Sequence, residues 1–261
     1  MSYQTIQYDN DGQVAVLTFH RPEARNAINE VMIGELDDIL KNIAADKELR
    51  VLILTGTGKS FVAGGDISMI DKGLDHPYDF FLLHDILCGI GGRLERLKIP
   101  VIAAINGAAF GGGLELALAC DFRIMADTAQ LGMPEAGLGI IPGAGGTARL
   151  ARIIGREQAF LMEMTADPVG AEDAFRIGLV SEVAPQEEIL EAAHHLARRI
   201  CVRAPAAVST IKRAIIMAEN MPLEGAIDYC QQAAMLLGVT EDAREGMRAF
   251  LEKRSPIWKG K

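Results

Sequence analysis

Aromatic residues make up only 5% of this 261-residue chain, and there is a single tryptophan. A core with so few large rings must close over Ala, Gly, Ile and Leu, which pack elements tightly, as in α/β proteins. Cysteine is also scarce. Cys88, Cys120, Cys201 and Cys230 are scattered, none forms a C-x-x-C, and no pair has metal-ligand spacing. That argues against a disulfide framework or a thiolate metal centre, and reduced thiols are expected. Excess positive charge is missing as well: 26 Lys and Arg stand against 35 Asp and Glu, a formal net charge of -9. Nucleic acid and anionic membrane surfaces are therefore poor partners, and an anionic ligand would need a local cradle. The longest uncharged stretches are broken by Gly, Pro or Asn, so no transmembrane helix is expected. The first residues, Met1-Ser2-Tyr3-Gln4-Thr5-Ile6, lack a basic start and an apolar run, so no targeting peptide is expected and the setting reads as cytoplasmic.

Several familiar motifs fail. Gly56-Thr57-Gly58-Lys59-Ser60 lacks a phosphate loop's first glycine, because position 53 is Ile, and a dinucleotide fingerprint there would need glycine where Phe61 stands. Gly143-Ala144-Gly145-Gly146-Thr147-Ala148 matches that fingerprint loosely, but Pro142 precedes it where a full buried strand is required. His194 and His195 are adjacent on a charged helix and point in different directions, as on a solvated face. No serine sits in a nucleophile elbow.

What is present is a strand–turn–helix rhythm. Residues 1–20 read as a hairpin through Asp9-Asn10-Asp11-Gly12. Asn29 or a neighbour caps a helix with apolar spacing at Met32, Ile33, Leu36, Ile39, Leu40 and Ile43. Val51–Gly56 and Val101–Ile105 are fully apolar runs of buried-strand type, and Phe122–Ala126 is a third strand. Helices are expected at about 77–97, 147–154, 156–164 and 171–177, and a last strand at 178–183. From 186 onward the chain reads as helical, divided by Pro205, Pro222 and Gly238-Val239-Thr240. Its apolar stripe at Ala233, Leu236 and Leu237 is of the kind usually found in a core, although such a tail also suits subunit contacts.

Two glutamates stand out. Glu115 is the only charge in Gly111-Gly112-Gly113-Leu114-Glu115-Leu116-Ala117-Leu118-Ala119-Cys120, and Glu135 the only one in Leu131-Gly132-Met133-Pro134-Glu135-Ala136-Gly137-Leu138-Gly139. A carboxyl group in apolar surroundings holds its proton more tightly, and two of them 20 residues apart point to one acid/base site. The glycines beside them serve either as tight turns alone or as backbone donors. N–H groups at the Gly-rich start of a helix are unsatisfied, and Ala63-Gly64-Gly65-Asp66 offers another. Two convergent N–H groups would form an oxyanion hole for a carbonyl becoming enolate-like.

Three segments carry a family resemblance: Phe61-Val62-Ala63-Gly64-Gly65-Asp66-Ile67, the run from Asn106 through Gly111-Gly112-Gly113 to Ala117, and the run from Pro134-Glu135 to Gly146-Thr147. The chain resembles the enoyl-CoA hydratase/isomerase (crotonase) superfamily from Arg21-Pro22 to Phe250-Leu251-Glu252-Lys253-Arg254. The resemblance implies an α/β spiral of ββα units over residues 1–195 and a C-terminal helical trimerisation region over 196–261. It also implies an acyl-CoA thioester substrate and a homo-oligomer, a trimer or a dimer of trimers. The oxyanion donors fall on Gly65 and Gly112, and the catalytic carboxyls on Glu115, which positions water, and Glu135, which handles the C2 proton. Substrate contacts fall on Ala24, Arg25, Ala63, Gly64, Asp66, Ile67, Pro134, Gly143, Phe250 and Lys253, the last reaching in from a neighbouring subunit. No metal or separate cofactor is expected, since coenzyme A is part of the substrate.

The implied activity is hydration of a 2-enoyl-CoA to a 3-hydroxyacyl-CoA and the reverse dehydration, as in fatty acid β-oxidation. The alternatives are a Δ3,Δ2-enoyl-CoA isomerase and a hydratase for a cyclic or aromatic-pathway thioester. Three positions depart from the family pattern. Met133 stands for a common glutamine, and Ser68 and Glu23 stand for common lysines, leaving Arg25 and Lys253 as the expected phosphate contacts.

Overall fold

A computed structural model describes residues 3–261, with the backbone alone at Leu74, Pro77, Asp79, Phe80 and Leu83; Met1 and Ser2 lie outside the described residues. The chain opens with the expected hairpin, β1 (Ile6–Asn10) against β2 (Val14–Phe19), paired antiparallel around Gly12. Helix α1 (Glu30–Ala45) follows, with the Asn29 side chain accepting from Met32 N–H at its start. Its buried residues are Met32, Ile33, Leu36, Ile39, Leu40 and Ile43, the face that the apolar spacing predicts.

Three ββα turns of a spiral come next. The first has β3 (Val51–Gly56), β4 (Ser60–Val62) and the helices α2 (Ile67–Asp75) and α3 (Pro77–Arg96). The second has β5 (Val101–Ile105), β6 (Ala108–Phe110) and α4 (Gly112–Leu118). The third has β7 (Phe122–Ala126), β8 (Gln130–Gly132), a 3-10 turn at Pro134–Leu138 and α5 (Gly146–Ile154). In each turn the first strand joins a six-stranded sheet, ordered β1-β2-β3-β5-β7-β10, and the second joins a four-stranded sheet, ordered β4-β6-β8-β9. Apart from β1 in the first sheet and β9 in the second, neighbouring strands are parallel. Val51 to Thr55 of β3 and all of β5 are buried, as a sheet covered on both faces requires.

Two buried asparagines hold the crossovers between the sheets. Asn26, fully buried and at φ 59, donates to the carbonyls of Thr57, Ser60 and Phe61 at 3.0, 2.8 and 3.2 Å and accepts from Arg21 N–H at 2.9 Å. Asn106 accepts from Gly56 N–H at 2.9 Å and donates to Gly58 O at 3.1 Å. These bonds satisfy backbone groups that leave the sheets at the turns.

Beyond α5 come α6 (Arg156–Thr165), β9 (Val169–Gly170), α7 (Ala171–Arg176) and β10 (Glu182–Ala184). The last strand is later than the sequence predicts. Gly178, at φ 76, instead closes α7, where Leu179 N–H and Val180 N–H both donate to Ala174 O. Helix α8 (Ile189–Cys201) runs through residues 195 and 196 and packs on β3, β5 and β7 with Ala193 and Ala197 fully buried. Helix α9 (Pro205–Ala218) is fastened by Lys212, which donates to Leu94 O and Ile99 O at 3.0 Å and pairs with Asp121 at 2.8 Å. Helices α10 (Leu223–Gly238) and α11 (Glu241–Glu252) complete the tail.

Two further expectations change here. The stripe on α10 is not core within the chain: Leu236 is 73% exposed, and Ala233 and Leu237 are half-buried. Residues 253–261 are not helical either. Asp242 accepts from Lys259 N–H and Gly260 N–H at 2.7 and 2.9 Å, and Trp258 donates to Val202 O, so the end of the chain folds back on α11.

Candidate active site

The three glycines at the start of α4 have different physical reasons to be there. Gly111 has φ 49, and a β-carbon on it would lie 2.7 Å from Glu135 Oε1. A β-carbon on Gly113 would lie 2.0 Å from Val62 O, so only glycine lets α4 pack this closely on β4. One on Gly112 would instead sit 3.9 Å from both Glu115 Oε2 and Gly65 N. Adjacent residues thus bring Glu135, Glu115 and the Gly65 amide around one small space.

The two amides are oriented by their surroundings. Ile28 N–H donates to Gly64 O and Asp66 N–H to Ile28 O, a parallel bridge that turns Gly65's own N–H the other way. Gly112 is the first residue of α4, where N–H groups have no intrahelical acceptor. Among the described residues, neither amide has a hydrogen-bond acceptor.

Both carboxyls are buried, Glu115 at 5% and Glu135 at 8% exposed, but their surroundings differ. Glu115 Oε1 accepts from Gly146 N–H, the first residue of α5, at 2.8 Å. Burial raises the Glu115 pKa, while the Gly146 and Ala144 amides, His84 on α3 and Arg149 on α5 oppose that rise. Glu135 has no such set of donors. Its Oε2 is buried without a hydrogen-bond partner. Burial, reinforced by the charges of Glu115 and Glu163, pushes its pKa to about 7. Met133, where the resemblance expects glutamine, is fully buried and offers no side-chain donor.

Around these groups lies a cavity of about 190 Å³. Of the residues singled out in the sequence, Ala63, Gly64, Gly65, Ile67, Gly112, Glu115, Pro134, Glu135 and Gly143 line it together. Its outer wall is apolar, with Met69, Ile70 and Leu87 on α2 and α3 facing Leu138, Ile140 and Ile141. Ala24, Arg25, Asp66, Phe250 and Lys253 do not line it. Asp66 instead caps α2 through Ser68 and pairs with Arg21 at 3.1 Å. Arg25 and Lys253 are exposed, both in left-handed backbone, and Phe250 is 83% exposed. A larger cavity, about 710 Å³, lies between α9 and the body and is lined by none of the candidate catalytic, oxyanion or substrate residues.

Sequence reasoning missed His84, which also lines the cavity, and two charged groups that act on the carboxyls, Arg149 on Glu115 and Glu163 on Glu135. Glu163 Oε2 accepts from Thr147 Oγ1 at 2.9 Å while its Oε1 is buried without a partner. In sequence all three look like ordinary helical polar residues.

Comparison with known proteins places the chain in a family. Residues 9–261 match the family model described as enoyl-CoA hydratase/isomerase. A short-chain-enoyl-CoA hydratase of Clostridium acetobutylicum is 41% identical over 256 residues, 97% of each chain. A crotonyl-CoA hydratase of Syntrophomonas wolfei is also 41% identical, again over 97% of each. The crystal structure of an enoyl-CoA hydratase from Bacillus anthracis superposes with a TM-score of 0.93 at 38% identity, covering 99% of this chain and 100% of that one. The spiral of ββα units, the helical tail and the match along nearly the whole length establish that this chain belongs to the enoyl-CoA hydratase/isomerase family, with the crotonase fold.

Proposed function

We propose that this chain adds water across the double bond of a 2-enoyl-CoA, and removes it in reverse, using Glu115, Glu135 and the amides of Gly65 and Gly112. The observation that carries the reading is the contrast between the two buried carboxyls. One receives a backbone hydrogen bond, and the other has a buried oxygen without a partner and a pKa of about 7. The backbone donor favours the ionised form of Glu115 against the rise that burial causes, and the unpartnered buried oxygen of Glu135 favours its protonated form, so the pair is suited to divide base and acid roles.

In this reading the thioester oxygen sits between the Gly65 and Gly112 amides, which polarise the conjugated double bond. Each oxyanion donor of this kind contributes about 3–4 kcal/mol to lowering the barrier. Glu115 orients a water towards C3 and accepts its proton as the C–O bond forms. Glu135 delivers its proton to C2 as the enolate collapses. Both carboxyls exchange their protons with water to begin another cycle, and no separate cofactor takes part. The apolar outer wall suits a hydrocarbon acyl chain, and both similar hydratases are named for short-chain or crotonyl substrates.

The same reading places coenzyme A phosphates on Arg25 and on Lys253 of a neighbouring subunit in a trimer-based oligomer. The oligomer is supported by the exposed apolar side chains of Leu223, Ile227, Met235 and Leu236 on α10 and of Phe250 and Leu251 on α11. Exposed large apolar residues in such number suit an interaction surface. Glu115→Gln tests the chemistry. Crotonyl-CoA hydration should fall by about 10²–10⁴-fold with binding of a saturated acyl-CoA retained. Near-native turnover would remove Glu115 from the mechanism.

A further inference from the structure

Glu115 is aimed by a backbone N–H, and that N–H is itself fixed by a side chain outside the cavity. Gly146 opens α5 directly after Gly145, which has φ 98. The loop leading to it accepts two side-chain bonds. Cys88 on α3 donates to Gly143 O at 3.3 Å, and Arg149 Nη1 on α5 donates to Ala144 O at 3.0 Å. Arg149 Nε also donates to Glu95 Oε1 on α3 at 2.6 Å, forming an ion pair whose side chains are 18% and 33% exposed. One guanidinium therefore ties α3, the loop and the first turn of α5 together.

Two glycines leave room for it. A β-carbon on Gly145 would lie 2.1 Å from Arg149 Nη1, and one on Gly91 of α3 would lie 3.2 Å from Nη2. Contact with both sides allows the plane little freedom. A planar fork that donates in two directions has no equivalent in lysine, whose ammonium is a single point at the end of a flexible stem.

We propose that Arg149, held by Glu95, is the positioning residue that aims the Gly146 amide at Glu115 and so fixes the carboxylate that orients the attacking water. The assignment rests on the hydratase reading above. Neither residue was marked by the sequence, and neither touches the space for substrate. Arg149 lines the separate cavity beside α9, on the far side of the loop from the carboxyl pair.

The test is steady-state hydration of crotonyl-CoA by the full-length protein carrying R149A, R149K, E95Q, E115Q and the double change R149A/E115Q. R149A should lower kcat by about 10–100-fold, the usual effect of a small misplacement, with KM within about threefold of wild type. R149K should not restore the rate. In the E115Q background, R149A should change the residual kcat by less than about twofold, because the group it positions no longer works as a carboxylate. A loss by the same factor in both backgrounds would overturn the proposal and show that Arg149 acts on the structure at large. So would a wild-type rate in folded R149A. If R149A does not fold, E95Q and E95Q/E115Q make the same comparison. Wild-type hydration by E115Q alone would remove Glu115 from the mechanism, and the proposal with it, while absence of crotonyl-CoA hydration by the unaltered protein would defeat the hydratase assignment itself. Loss in E115Q with an additive R149A would defeat only the positioning role.

Discussion

Replacing Glu135 with glutamine separates two consequences of its burial. The change keeps the shape of the side chain and removes its ionisation. In the folded chain the Glu135 pKa is raised from 4.5 to about 7, so the native state holds a proton that the unfolded chain has released. Below pH 4.5 both states are protonated and the group contributes nothing to the pH dependence. As pH rises from 4.5 to 7 the unfolded state is favoured, and above 7 the penalty is complete. At about 1.4 kcal/mol per pH unit the full penalty would be about 3 kcal/mol. Solvent screening at an open cavity reduces this to about 1–2 kcal/mol. Glu135→Gln should therefore be more stable than the native protein by about 1–2 kcal/mol at pH 8 and equal to it near pH 4. Urea melts at fixed protein concentration across this range, with the difference between the two proteins plotted against pH, isolate the one group. The same variant should lose about 10²–10⁴-fold in hydration rate. For the native enzyme, hydration kcat should decline as pH passes about 7 if the proposed mechanism holds, since it uses the acid form of Glu135. Parallel stability curves for the two proteins from pH 5 to pH 8 would refute the reasoning, since Glu135 would then ionise as an ordinary surface carboxyl.

Gly112→Ala places a methyl group 3.9 Å from the Gly65 amide and 3.2 Å from the movable end of Ile28. It should fold yet lose about 10²-fold or more in kcat, whereas retained turnover would move the oxyanion site elsewhere. Asn26→Ala removes the buried amide that serves Thr57, Ser60 and Phe61, and should lower stability by about 2–4 kcal/mol in denaturant melts. Lys253→Ala should raise KM for a coenzyme A thioester more than it lowers kcat, with a smaller defect for a pantetheine thioester. Equal defects with both substrates would mean that Lys253 acts through assembly.

Local signals and tertiary ones divide what the sequence made legible. The buried face of α1 and its Asn29 cap follow from period and chemistry within 17 residues, and both are found in the structure. The apolar runs of β3 and β5 were equally plain, since strands covered on both faces need no alternation. By contrast β4, β6, β8 and β9 have three residues or fewer, too few to show any period. They exist because the spiral brings them side by side, so the second sheet was visible only through the family resemblance. Helix α2 went unnoticed because the run after Asp66 reads as loop until Ser68 is seen bonding to that aspartate. The stripe on α10 was legible as apolar but not as exposed, because a sequence does not record which surface meets an apolar face.

At the site the same division has a chemical meaning. Isolation of Glu115 and Glu135 among apolar neighbours was readable, and both carboxyls are buried. Their difference was not readable, since each follows a glycine-rich turn and each is the lone charge in its run. It arises from partners brought in by folding. Gly146 N–H reaches Glu115 at 2.8 Å across 31 residues of chain, and Glu163 adds a like charge towards Glu135 from α6. A donor favours the ionised form of one carboxyl, while burial and neighbouring charge favour the protonated form of the other. In the proposed mechanism these two similar sequence contexts serve as base and acid. Exchanging the two environments would require moving the start of α5 rather than altering either glutamate, so on the proposed mechanism the loop that carries Gly146, with the arginine fastened to it, serves the chemistry as well as the fold.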